Sequence, residues 1–136
     1  MDKLTKKFRS RGHRITQSRL AITDILSRTD KPLTVSEIRR SLSQRKVTVD
    51  KVTVYRELTF LVREGIAGEV DFGEGAKRFE SADRDHHHVV CVNCRRVEDV
   101  VLRHDIAAEE RRIAQKKGFT ITHHALEFFG LCASCR

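Results

Sequence analysis

Residues 50–80 read DKVTVYRELTFLVREGIAGEVDFGEGAKRFE, and this stretch decides the fold of the first half of the chain. From about Asp50 to Glu64 the apolar residues Val54, Leu58, Leu61 and Val62 recur at helical spacing. Gly65 is a good stop, because glycine takes the left-handed conformation that closes a helix without a Cβ clash. Two short runs follow, 66–72 and 76–80, around the turn Gly73-Glu74-Gly75; this is the pattern of two strands joined by a glycine-rich turn.

Upstream, residues 2–10 form a short basic helix that ends before Gly12. Thr16 is placed to cap a second helix carrying Leu20, Ile25 and Leu26 at helical spacing. Pro32 breaks the chain, and Thr34 with Glu37 then forms a capping box for a short third helix with Ile38 and Leu42 on one face. Helices followed by a hairpin make the winged-helix plan, in which the helix before the wing enters the major groove of DNA. That helix carries Val52-Thr53-Val54-Tyr55-Arg56, with the only tyrosine of the chain. An arginine there can bond phosphate or guanine, and a tyrosine can contact phosphate or pack on a thymine methyl. Charge agrees: residues 1–64 hold 16 Lys and Arg against 7 Asp and Glu, whereas residues 65–136 hold 11 against 12. A basic half joined to a near-neutral half points the first half toward a polyanion.

Downstream, residues 81–86 are polar and serve as a linker. Strands are expected at about 87–92 and 96–101, a helix from about 105 to 117 ending at Gly118, and a last strand over 119–129. The expectation is an α+β chain in two parts: a winged-helix DNA-binding domain over 1–80, a hinge over 81–86, and a small α/β dimerisation and metal-binding domain over 87–136. A unit of about 50 residues seldom holds a core alone, so a structural metal, a partner copy, or both are expected. No apolar run approaches the roughly 18 residues that a membrane span needs. Residues 1–7 lack the apolar core of a signal peptide, which predicts a cytoplasmic protein with no membrane partner.

All four cysteines lie in the second half, as Cys91-Val92-Asn93-Cys94 and Cys132-Ala133-Ser134-Cys135. In a reducing compartment two such pairs mean zinc, and four thiolates close a tetrahedral shell that suits a structural ion. The run Asp85-His86-His87-His88 is the second signal. On a strand His86 and His88 point one way and His87 the other, so one run feeds two sites. Glu80 and Asp99 are nearby oxygen donors, and His123 and His124 lie further on. Imidazole with carboxylate suits iron, manganese or zinc as a regulatory divalent metal. Two other classes are weighed: a dithiol redox enzyme or zinc hydrolase, and a zinc-stabilised interaction module without DNA specificity. A redox site needs a reactive thiol of low pKa, and a hydrolytic zinc needs an open coordination position. Two matched pairs fit neither, so no enzyme is expected.

The motifs together resemble the ferric uptake regulator family over nearly the whole chain. Gly12-His13-Arg14-Ile15-Thr16-Gln17-Ser18-Arg19 is similar to its opening G-x-[KR]-x-T-x-x-R, and Thr53-Val54-Tyr55-Arg56 to its recognition-helix motif. The His run before a C-x-x-C and the ending His124-Ala125-Leu126-Glu127-Phe128-Phe129-Gly130-Leu131-Cys132 resemble its dimerisation domain. The resemblance implies a homodimeric repressor of metal-homeostasis genes that binds AT-rich inverted repeats in double-stranded DNA when metal is bound. It implies Tyr55 and Arg56 at the major groove and Arg14 in the minor groove, with Arg19, Lys51 and Thr53 also at the DNA. It further implies structural zinc on Cys91, Cys94, Cys132 and Cys135, and a regulatory site of Glu80, His86, His88 and Asp99. A further site would draw on Asp85, His87 and His124. The family's peroxide-sensing branch, which oxidises its own histidine with iron, is the alternative implied. Two departures stand out. The family's hinge site often takes a histidine from just before the third helix, where this chain reads Asp30-Lys31-Pro32-Leu33. The glutamate of the further site has Ala107 in its place, with Glu109 and Glu110 close by.

Overall fold

A computed structural model describes residues 3–82 and 87–136. The first half contains α1 (Lys3–Ser10), α2 (Gln17–Arg28), β1 (Leu33–Thr34), α3 (Val35–Gln44), α4 (Lys51–Arg63), β2 (Ala67–Val70) and β3 (Arg78–Ser81). The starts of α2, α3 and α4 are each fixed by a cap, which satisfies an orphan N–H of the first turn. Thr16 accepts from the backbone N–H of Arg19, and Asp50 accepts from that of Thr53. Thr34 and Glu37 form the complete reciprocal capping box.

Strand β3 is the centre of an antiparallel sheet in the order β1-β3-β2, with Leu33 opposite Phe79 and Val70 opposite Arg78. Helices α2 to α4 pack on this sheet around one apolar core that includes Ile22, Ile38, Val54, Leu58, Leu61 and Phe79. This is the winged helix, with α4 immediately ahead of the wing. Strand β1 was not expected, since two residues between a proline and a helix carry no periodicity. The wing strands are also shorter than the runs 66–72 and 76–80.

The second half contains β4 (His87–Cys91), β5 (Val97–Val100), α5 (Ile106–Lys117) and β6 (Glu127–Gly130). Its sheet runs β5-β4-β6, with β4 antiparallel to β5 and parallel to β6. Helix α5 starts on Asp105, which accepts from the N–H of Ala107, and ends on Gly118 at φ 72°, a left-handed position that glycine takes at no steric cost. The strand expected over 119–129 is corrected to 127–130: residues 119–126 form no strand and carry the chain from α5 back to the sheet. Helix α5 buries none of its residues. The small second core, Val70, Phe72 and Val90, joins the wing to β4. Among the described residues no helix is long and apolar enough to cross a membrane.

Candidate metal centres and nucleic-acid interface

The two C-x-x-C pairs converge. Cys91 ends β4, Cys94 lies in the turn to β5, and Cys132 and Cys135 lie in the tail after β6. Parallel pairing of β4 with β6 sets Cys91 opposite Gly130 and so delivers the tail to the turn. The four sulfurs lie within 4.8 Å of one another, and Cys94 Sγ is 3.8 Å from Cys132 Sγ. Zinc–sulfur bonds of about 2.3 Å at tetrahedral angles separate the sulfurs by about 3.8 Å, so the set fits zinc. The electrostatics agree. Backbone N–H groups of Cys94 and Cys132 pull the Cys91 thiol down to about 6. Cys132 is also lowered, by the thiol of Cys135 and the N–H of Ser134. At Cys135 the Asn93 side chain works in the same direction, but Cys132, burial and the other two sulfurs outweigh it and push the thiol up to about 11. Four thiolates this close repel one another, and a bound cation is what allows all four to ionise together.

Within the described part of the histidine run, His87 and His88 face opposite sides of β4. On one face of β4, His88 has Asp99 of β5 and Glu127 of β6 as its register partners. His88 Nε2 lies 3.7 Å from Glu80 Oε2 and 3.8 Å from Asp99 Oδ1, and Nδ1 lies 3.9 Å from Glu127 Oε1. The imidazole is 1% exposed and stands edge-on to the Phe72 ring at 5.1 Å. It opens on a cavity of about 320 Å³ that Asp30 and Phe72 line from the first half and Asp99 from the second. Burial and the Asp71 charge raise the Glu127 carboxyl above its ordinary value, against a smaller pull from His124. Glu127 belongs to this cluster although no site expectation included it; its signal was one acid in the otherwise apolar run 125–129.

His87 points the other way. Its Nδ1 is 3.2 Å from the carbonyl of Leu126, and its ring centroid is 5.3 Å from that of His124. Glu110 Oε1 lies 3.4 Å from His124 Nδ1, whereas Glu109 is bonded to Arg112. The carboxylate of this second cluster therefore comes from the turn of α5 after Ala107. His87, Glu110, His123 and His124 share a cavity of about 200 Å³ with Glu80 and Glu127. Asp85 and His86 lie outside the described residues.

On α4, Lys51, Val52, Tyr55 and Arg56 are exposed, opposite the buried Val54, Leu58 and Leu61. Thr53 is half-buried, with its N–H held by Asp50. Arg14 is exposed on the segment between α1 and α2. Arg19 is turned inward, onto Glu57 of α4.

Residues 10–129 match the ferric uptake regulator family. A ferric uptake regulation protein of Bordetella parapertussis is 33% identical over 132 residues, covering 96% of this chain and 94% of that protein. A peroxide-responsive repressor of Staphylococcus saprophyticus is 32% identical over 130 residues, covering 95% and 86%. A solved structure of the ferric uptake regulator from Pseudomonas aeruginosa with manganese superposes with a TM-score of 0.70 at 26% identity, covering 95% of this chain and 97% of that one.

Proposed function

Because the chain belongs to the ferric uptake regulator family, we propose that it is a metal-responsive repressor that binds AT-rich inverted repeats in double-stranded DNA as a homodimer. We take residues 1–80 as its DNA-binding domain, 81–86 as the hinge and 87–136 as the dimerisation domain. The observation that carries the reading is the position of His88. It joins carboxylates of β3, β5 and β6 at the point where the wing meets β4.

Each residue then has a task. Cys91, Cys94, Cys132 and Cys135 would hold structural zinc, which supplies a tie between the C-terminal tail and the β4–β5 turn. Glu80, His88 and Asp99, with His86 of the hinge, would hold the regulatory divalent metal, of which iron, manganese and zinc all suit nitrogen and oxygen donors. Their bonds would fix the wing against the dimer scaffold, and with it the distance between two recognition helices. Half-sites about one helical turn apart need that distance to be set, and setting it beforehand lowers the ordering cost at binding. His87 and His124, with Glu110 and Asp85, would form the further site. Tyr55, Arg56, Lys51 and Thr53 would face the major groove and Arg14 the minor groove. The apolar side chains Val97, Phe119, Phe128, Phe129 and Leu131, exposed in the single chain, support a partner copy of the same chain.

The test is binding of the zinc-containing protein to an AT-rich palindrome at fixed salt, with and without manganese. Coupling of about 1–3 kcal/mol predicts about 5- to 150-fold tighter binding with metal, lost in Asp99→Ala and His88→Ala while dimer and zinc remain. Equal binding in a sample shown to be free of the second metal would refute the switch. The carboxylate Asp99 on His88 and the peroxide-responsive relative favour one second reading, a peroxide sensor. It requires a mass gain of one oxygen on a hinge histidine when the iron-loaded protein meets peroxide.

A further inference from the structure

The segment carrying Arg14 is joined to α4 at two points, and both anchors are acidic: Glu57 within the helix and Glu64 at its C-cap. The guanidinium of Arg19 donates from Nε to Glu57 Oε2 at 2.8 Å and from Nη2 to Glu57 Oε1 at 3.1 Å. Its Nη1 donates to the backbone carbonyl of Arg14 at 2.8 Å. The same group lies 4.0 Å over the Phe60 ring, and the Arg19 and Glu57 side chains are only 14% and 16% exposed. Two helical turns on, Glu64 takes the second anchor. Its Oε1 is 2.8 Å from His13 Nε2 and 3.2 Å from Arg11 Nη1, and its carbonyl accepts from Arg11 Nη1 at 2.8 Å. The His13 ring stands edge-on to Phe60 at 4.8 Å, so Phe60 fills the gap between the anchors.

We propose that Glu57 and Glu64 clamp the segment 11–14 onto α4 before DNA is met, and that Arg19 works as a positioning residue inside this clamp without touching DNA. The clamp rests on the reading that α4 and Arg14 face DNA. An acidic side chain on the DNA-facing helix of a basic domain repels phosphate, and here both acids are neutralised by basic residues of the adjoining segment. A guanidinium already engaged bidentately with a carboxylate has to break that pair before it can grip phosphate or guanine bidentately. Arg14 is held through its backbone, which leaves its side chain exposed for a groove. Arg14 and the Tyr55-Arg56 pair thus form one rigid reading head, with the ordering entropy of the segment incurred in folding and not at binding.

The test compares the full-length, zinc- and manganese-loaded protein with Glu57→Gln, Arg19→Gln, the double variant and Glu64→Gln. Binding is measured to the palindrome and to a scrambled duplex across a salt series, and tryptic cleavage after Arg14 is followed without DNA. Glu57→Gln removes a negative charge from the DNA-reading helix, yet it is expected to weaken palindrome binding about tenfold while leaving scrambled binding unchanged. Arg19→Gln should match it with the wild-type salt slope, the double variant should be no worse than either single, and cleavage after Arg14 should quicken in all. Glu64 lies at the helix end, so Glu64→Gln keeps the test open if a variant at the inner pair unfolds. A salt slope lowered by about 0.9 in Arg19→Gln, with both duplexes weakened alike, would mean direct phosphate contact and overturn the proposal. Tighter binding by Glu57→Gln would overturn it too. If the wild type shows no preference for the palindrome, the DNA reading fails, and the cleavage rates alone decide the clamp: unchanged rates end it.

Discussion

Arg78 connects the wing to the third helix through a single guanidinium. Its Nη1 donates to Glu37 of the capping box at 3.0 Å and to the carbonyl of Pro32 at 3.1 Å, and its Nε donates to Glu74 of the wing turn at 2.8 Å. Burial alone would raise the Glu37 carboxyl, but the N–H and hydroxyl of Thr34 and the charge of Arg78 hold it below its ordinary 4.5. Glu74 is lowered chiefly by Arg78 itself. Both acids therefore favour the folded state when ionised. Their contribution is complete above pH 4.5 and is lost as pH falls through the lower folded-state values. Arg78→Met keeps the stem and removes the charge. It should cost about 1 kcal/mol at pH 7, the worth of partly exposed pairs, and the gap from wild type should narrow as pH falls below 4.5. Urea unfolding of both proteins across that range measures the gap, and acid release of metal is common to the two. A gap that stays constant with pH would show that Arg78 acts through packing alone.

At the scale of elements, α5 and the outer strands present the surfaces we assign to a partner copy. Helix α5 buries nothing in the single chain, and β5 and β6 are the free edges of the second sheet. Ile113 and Phe128 are exposed large apolar side chains, and burying each contributes about 1.5–3 kcal/mol. Replacing both with Glu should turn a dimer into a monomer in sedimentation at micromolar concentration, with the four cysteines still protected by zinc. A variant that remains dimeric would move the interface elsewhere. The same elements show what the sequence could carry. Helices α2 to α4 were legible because each has an apolar stripe and a local cap, and the cysteine pairs because both ligands of a pair come from one tight turn. Residues 119–126 were mistaken for strand because alternating Phe119, Ile121 and the polar residues between them imitate a pleat, whereas only 127–130 find a partner in β4. Glu127 and Glu110 were out of reach for a related reason. The parallel β4–β6 pairing brings Glu127 to His88 from 39 positions away in sequence, and the path from α5 to β6 brings Glu110 to His124 from 14 positions away, and nothing local encodes either.

At the scale of the whole molecule, the two proposed kinds of metal site should fail separately. The apolar core of the first half is complete without any ion, since Ile22, Ile38, Val54, Leu58, Leu61 and Phe79 are sealed inside it. The second half has only Val90 and Cys91 as buried hydrophobic residues among those described, so its fold leans on the four-sulfur cluster. For a tetrahedral thiolate site the binding free energy, on the order of 10 kcal/mol, is folding free energy. The hinge cluster, by contrast, joins parts that Val70, Phe72 and Val90 already hold in contact. A mild chelator that removes only the hinge metal should therefore leave the melting temperature nearly unchanged while weakening operator binding. Removing zinc with a strong chelator should make all four thiols titratable, melt the second half and dissociate the dimer, with the helical signal of α2 to α4 surviving to a higher temperature. Calorimetry with a thiol count on the same samples reads both steps. One cooperative transition lost in full with either metal would mean that the two halves share a single folding unit, and that the hinge ion is as structural as the zinc.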